Sequence, residues 1–179
     1  MTAESTTATV EIPAAGTYRI DPTRSQVSYS GRHMFGLGVV HAGFAIRSGE
    51  IRVGDPLTSS AVTVIVDAGS FRSASAKRDK DVRGPSLLDA ATYPDITFVS
   101  DGLRPDGDSD RWRMSGIVTA HARSVPVEVV IDRVTREIEG LRLHGRAAHL
   151  DRYAFGVTQG KGMVGRHLDL DLEVVAVPV

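Results

Sequence analysis

His167-Leu168-Asp169-Leu170-Asp171-Leu172-Glu173-Val174 sets Leu168, Leu170, Leu172 and Val174 at alternate positions, with His167, Asp169, Asp171 and Glu173 between them. A period of two is that of a β-strand with one dry and one wet face. The same alternation recurs upstream. In Ser25–His33, Val27 and Tyr29 share a face with Gly31 and His33, against Ser28, Ser30 and Arg32. Val40, Ala42, Phe44 and Ile46 alternate with His41, Gly43, Ala45 and Arg47. Trp112, Met114, Gly116 and Val118 do so with Arg111, Arg113 and Ser115, and Val125, Val127, Val129 and Ile131 with Glu128 and Asp132.

Turn residues separate these segments: Asp21-Pro22, Gly54-Asp55-Pro56, Pro105-Asp106-Gly107-Asp108 and the glycines from Gly156 to Gly165. About eight or nine strands joined by short loops read as antiparallel all-β. A closed up-and-down barrel removes the edges that such strands otherwise expose; a two-sheet sandwich has the same periodicity. The exception is Ser75–Arg83, where Ala76 to Arg83 favours a helix, Ser73 or Ser75 offers a cap and Gly84-Pro85 a stop. So short and charged a helix belongs across one end of a barrel, with Leu87, Leu88 and Tyr93 packing down onto the interior.

The chain has 179 residues, enough for one domain with a core of its own. Residues 1–16, rich in Thr and Ala, read as a flexible arm, and residues 17–179 as a single barrel domain. There is no cysteine, which excludes disulfides and thiol chemistry. Lys+Arg 21 against Asp+Glu 22 leaves no overall footprint for nucleic acid or an anionic membrane. No apolar run of about 18 residues is present, so no membrane-spanning helix is expected. The first residues lack the basic start and apolar run of a secretory signal, which gives a cytoplasmic location as the expectation.

Several site motifs fail on inspection. Gly160-Lys161-Gly162-Met163-Val164-Gly165 fits the dinucleotide fingerprint by letter, but a period-two strand follows it and offers no helix N-terminus for a pyrophosphate. Asp106, Asp108 and Asp110 begin like a calcium loop, yet Arg111 stands where glycine is required and Ile117 where the bidentate glutamate belongs. The six histidines show no i, i+2 pair on one strand face, and no nucleophile elbow is present, so neither a metal nor a cofactor is expected. His33 stands apart by falling on a dry face, either as a core histidine bonded to a carbonyl or as a polar contact in a cavity. Arg78 and Arg83 have two readings as well, a solvated helix face balanced by Asp79 and Asp81 or guanidinium forks for a phosphate or other head group.

The order of motifs resembles the YceI-like family of polyisoprenoid-binding proteins. It begins at Tyr18-Arg19-Ile20-Asp21-Pro22, Ser25 and Val27, and passes through His33, Gly43-Phe44, and Ile65-x-Asp67-x-x-Ser70. It continues through Arg78-Asp79 and Tyr93-Pro94-x-Ile96-x-Phe98-x-Ser100, and ends at Phe155-Gly156 and Val164-Gly165. Asp81 departs from the histidine that relatives often carry there, and Leu87-Leu88 from an aromatic pair. The resemblance implies an extended eight-stranded antiparallel up-and-down β-barrel, lipocalin-like, holding an isoprenoid lipid such as a polyprenyl phosphate or an isoprenoid quinone. The residues in phase to line its apolar cavity are Val27, Tyr29, His33, Phe44, Phe98, Trp112, Met114, Leu168 and Leu170, with Arg78 and Arg83 as head-group candidates. A non-catalytic carrier or store is the leading expectation. An enzyme using His33 as acid or base on a small apolar substrate, and a ligand-free interaction module, are the alternatives. Pairing of two such barrels into a homodimer is left open.

Overall fold

The computed structural model describes residues 9–33 and 37–179, with His33 described in its backbone alone. In chain order the elements are β1 (Thr9–Val10), β2 (Gly16–Ile20), β3 (Gln26–His33), β4 (Gly38–Phe44), β5 (Ile46–Val53), β6 (Ala61–Asp67) and β7 (Arg72–Ser73), followed by α1 (Ala76–Arg83). Then come β8 (Asp95–Pro105), β9 (Trp112–Ala120), β10 (Arg123–Glu137), β11 (Gly140–Asp151) and β12 (Val164–Pro178). Strands β2, β5, β6, β8, β9, β10, β11 and β12 close into a ring of eight antiparallel neighbours. The barrel is the solution that leaves no edge in that ring, and the sandwich alternative falls away.

The ring is closed over one half of its height only. Along β12, residues 176–178 pair with β2, whereas residues 164–173 pair with β3. Beyond β3 lie β4 and the two-residue β7, so that the sheet runs on past the closed ring and stops. β10 behaves alike: residues 123–131 pair with β9, while the pairing with β11 starts at Val130. At this end the strands part, and α1 and the 3₁₀ turn Arg152–Phe155 stand beside them.

Local chemistry explains α1. Ser75 Oγ accepts from the Arg78 backbone N–H at 3.3 Å, and the buried Asp79 carboxylate accepts from the Ser73 N–H at 2.8 Å and from its hydroxyl at 2.6 Å. Gly84 N–H closes the last turn on the Asp81 carbonyl, and Pro85 forbids continuation.

The core follows the alternation. Val27, Met114, Val129, Ile131 and Val174 are buried and belong to one cluster with Ile20, Ile46, Ile51 and Leu141, and Val127 is buried too. Two glycines on inward positions make room for rings: a Cβ on Gly116 would lie 2.5 Å from the Phe98 ring, and one on Gly31 would lie 2.3 Å from Tyr29 Oη. One expectation shifts. Order was placed from Thr17 onward, but β1 pairs in parallel with β10, Val10 packs on the core, and the Glu11 carboxylate accepts the Arg136 backbone N–H at 2.9 Å. Two strand residues carry little alternation, so nothing in the pattern marks them.

Candidate functional site

The barrel interior holds two chambers. The first, about 140 Å³, lies within the closed half between Ile20, Val27, Phe98, Met114, Leu172 and Val174, and no polar atom faces it. The second, about 150 Å³, lies at the parted end, between Tyr29, Phe44, Phe71, Leu87, Leu88, Phe155 and Leu168. Ile96, Val118, Leu150 and Leu170 line both, so the two adjoin across these four side chains. Phe71 stands edge-on to Tyr29 at 5.9 Å and to Phe44 at 5.3 Å between ring centroids, a favoured aromatic geometry that walls one side.

Polarity enters this channel at the second chamber. Arg152, 5% exposed, lines it. Its Nε donates to the Gly165 carbonyl at 2.8 Å, Nη1 to those of Val157 and Gln159 at 2.7 Å each, and Nη2 to that of Val164 at 2.9 Å. Four of the five guanidinium N–H groups are thereby satisfied, and the Tyr153 ring lies 4.9 Å from the guanidinium carbon. Among the described residues no carboxylate pairs with it: neighbouring Asp151 binds Arg166 instead, at 2.7 Å. Burial lowers the Arg152 pKa from its usual height, yet an arginine stays charged under all ordinary conditions. The second chamber therefore has in its wall a guanidinium without a direct ion pair among the described residues, acted on by Asp151 only at longer range, with one N–H to spare.

Tyr29 is the other polar group. Burial raises its pKa, with Arg152 and Arg78 pulling the opposite way, and its hydroxyl makes no hydrogen bond among the described residues. A neutral phenol donor and a guanidinium donor thus serve one end of an otherwise hydrocarbon space. Such a channel can hold an apolar chain and orient it by an oxygen at one end.

The structure brings together most of the residues singled out by phase. Val27, Phe98 and Met114 line the first chamber, Tyr29, Phe44 and Leu168 the second, and Leu170 both. Trp112 lines neither; it packs on the core near Val10 at the far end of β9. The His33 side chain lies outside the described residues. Arg83 donates through Nε to the Phe71 carbonyl at 2.8 Å and also through Nη2, and it lines a cleft on the outer surface. Arg78 donates to Ser73 Oγ at 3.3 Å. Both helical arginines thus hold the chain before α1, and neither lines a chamber. Arg152 escaped the sequence reading because an arginine beside an aspartate reads as a surface pair by default. The only hint was its place three residues before Phe155-Gly156.

Elsewhere, His144 Nδ1 lies 2.6 Å from Asp132 Oδ1 on the outer barrel wall. Among the described residues no three His, Cys, Asp or Glu side chains are grouped to hold a metal, and no helix is long and apolar enough to cross a membrane.

The fold and its interior define a lipocalin-like barrel with a lengthwise apolar channel. The family model for the YceI-like domain matches residues 18–176, and the chain belongs to that family. UPF0312 proteins from two strains of Pseudomonas putida are 32% identical over 126 residues, 66% of this chain and 63% of theirs. One from Vibrio vulnificus is 31% identical over 78 residues, 44% of this chain and 41% of its own. The chain thus spans less than two thirds of the length of these relatives. Among solved structures, Burkholderia cenocepacia BcnA is similar with a TM-score of 0.75 at 21% identity, over 87% of this chain and 98% of that one. A polyisoprenoid binding domain from Saccharophagus degradans, implicated in plant cell wall breakdown, gives 0.67 at 12% identity, over 93% and 100%. At these identities the two structures share the fold.

Proposed function

We propose that this protein binds and carries an isoprenoid lipid without transforming it, the tail lying along the two chambers and the oxygen-bearing end at Tyr29 and Arg152. The observation that carries this reading is the pair of adjoining hydrocarbon chambers with a guanidinium in the wall of one. The polyisoprenoid-binding description of the Saccharophagus domain supports it. Val27, Phe44, Phe98, Met114, Leu168 and Leu170 are then tail contacts. Each methylene taken from water contributes about 0.8 kcal/mol before ordering costs, so a tail of a few isoprene units suffices for firm binding. Together the chambers stand near the lower end of ligand-pocket volumes, about 300 Å³, which favours a short chain.

Head-group preference follows from the donors. Arg152 has one N–H left and Tyr29 one O–H, which suits a single carbonyl or hydroxyl oxygen, as in a quinone or a prenol, better than the several oxygens of a phosphate. The test is organic extraction of protein purified from its native host, followed by mass spectrometry. A stoichiometric isoprenoid quinone or prenol is expected. A reproducibly empty barrel that also fails to bind added isoprenoid defeats the reading.

A further inference from the structure

We infer that Asp169 is a positioning residue for the ligand: it holds a β-bulge in β11 that turns Arg152, and not Asp151, into the second chamber. The inference rests on the lipid-binding reading above.

The register of β11 against β12 defines the bulge. Ala147 pairs with Leu170 and Leu150 with Leu168, so that Ala148 and His149 together face the single residue Asp169. A bulge of this kind inserts one residue and re-aims the side chains beyond it. Before it the odd-numbered residues point inward: Leu141, Gly145 and Ala147 are buried, and Leu143 and Ala147 line the first chamber. Unbroken alternation would next bring His149 and Asp151 inward and turn Leu150 and Arg152 out. The extra residue reverses this. Leu150 and Arg152 line the second chamber, while Asp151, opposite the exposed His167, is left to the Arg166 fork at 3.0 Å and 2.7 Å. One inserted residue therefore decides whether the chamber wall carries a guanidinium or a carboxylate.

Asp169 supplies what the bulge lacks. His149 stands at φ 57°, a left-handed conformation that a residue with a side chain adopts at a cost. Ala148 and His149 are both exposed, so burial of their own side chains does not fix this geometry. The His149 N–H, without a partner in the ladder, donates to Asp169 Oδ1 at 2.9 Å. That hydrogen bond is also the main reason the Asp169 carboxyl lies below the usual carboxylate range. Arg146, on the near side of the bulge, steadies the other oxygen, with Nη2 at 3.4 Å from Oδ2. The carboxylate thus spans the bulge, and Leu150 and Arg152 follow within three residues of His149. Leu150 stands where the chambers adjoin, so the same device sets a tail contact and the head-group donor.

The experiment is equilibrium dialysis of the full chain against radiolabelled farnesol and, separately, against farnesene, which has the same carbon skeleton and no oxygen. Wild type is expected to prefer farnesol by about tenfold, the effect of one hydrogen bond from a charged donor. Asp169→Ala removes the acceptor, and His149→Val places a branched side chain where φ is positive. Each should bring the two affinities close together with farnesene binding kept, and either tests the bulge if the other does not fold. Asp169→Asn, which keeps an acceptor oxygen, should retain most of the preference. Adding His149→Gly to Asp169→Ala should restore it, because glycine takes that conformation freely. Variants that keep the wild-type preference overturn the positioning role and leave the lipid-binding reading standing. Variants that lose both ligands in equal measure also overturn it, since Asp169 then serves only the fold. Wild type that binds both ligands equally removes the orienting role of Arg152 and with it this inference; wild type that binds neither removes the lipid-binding reading as well.

Discussion

The closed half of the barrel and its parted end enclose chambers of similar size with unlike chemistry. In the closed half every strand has two neighbours, the backbone satisfies itself, and the interior can be hydrocarbon. At the parted end the ladders stop, and carbonyls freed from strand pairing must find donors elsewhere. Arg152 provides them for the segment from Val157 to Gly165, and Arg83 does so for Phe71. The polar end of the channel is thus a consequence of opening the barrel: the group that repairs the backbone is also the one that faces the ligand.

Removing that repair should have the largest effect. Arg152→Met leaves four carbonyls without their donor and is expected to destabilise the protein by about 3–5 kcal/mol in urea unfolding. Arg152→Lys keeps the charge but not the fork, and should recover only part of the loss; full recovery would show that charge, not geometry, matters at this end. In the closed half, Met114→Ala should cost about 2–4 kcal/mol through an enlarged hydrocarbon cavity and weaken farnesol binding less than Arg152→Met does, since a tail contact is lost but no donor.

A smaller effect is expected of Gly116→Ala, whose Cβ meets the Phe98 ring and, at 2.6 Å, the Val99 carbonyl oxygen. Overpacking of this kind costs about 1–3 kcal/mol, and thermal melting would show it. A wild-type melting temperature would mean that the ring moves freely in the channel.

The smallest effect concerns the Asp151–Arg166 pair that links β11 to β12. The hydrogen bond from Arg166 holds the Asp151 carboxyl at about 2, well below the usual carboxylate range. A group with a lowered folded-state pKa stabilises the fold above its unfolded value, near 4. That contribution fades as pH falls from about 4 to about 2. Asp151→Asn should therefore flatten the acid limb of the stability profile in that window, by lowering stability slightly above about pH 4 and leaving it unchanged near pH 2, the effect being small as befits an exposed pair. An unaltered acid limb would show that the pair with Arg166 does not stabilise the fold.

The two halves also differed in how far the sequence disclosed them. His167–Val174 announced a barrel strand, and phase put Val27, Phe98 and Met114 on the inward face without ambiguity. Phase says nothing of depth along a strand, however, which is why Trp112, in phase with Met114, stands beyond the chambers. The parted end was harder to read because its chemistry depends on which carbonyls lose their strand partner, a property of register and not of residue type. Arg78 and Arg83 were conspicuous in a charged helix, whereas Arg152, in a segment without period, carries the site.

The central claim is that a single apolar channel takes the lipid. Methyl-resolved NMR of the protein titrated with a short-chain isoprenoid quinone tests it most directly. Saturable shifts at Val27, Val118, Leu150 and Leu170, together with the Tyr29 ring, are the predicted result. Shifts confined to the outer clefts, or none at those methyls, would contradict it.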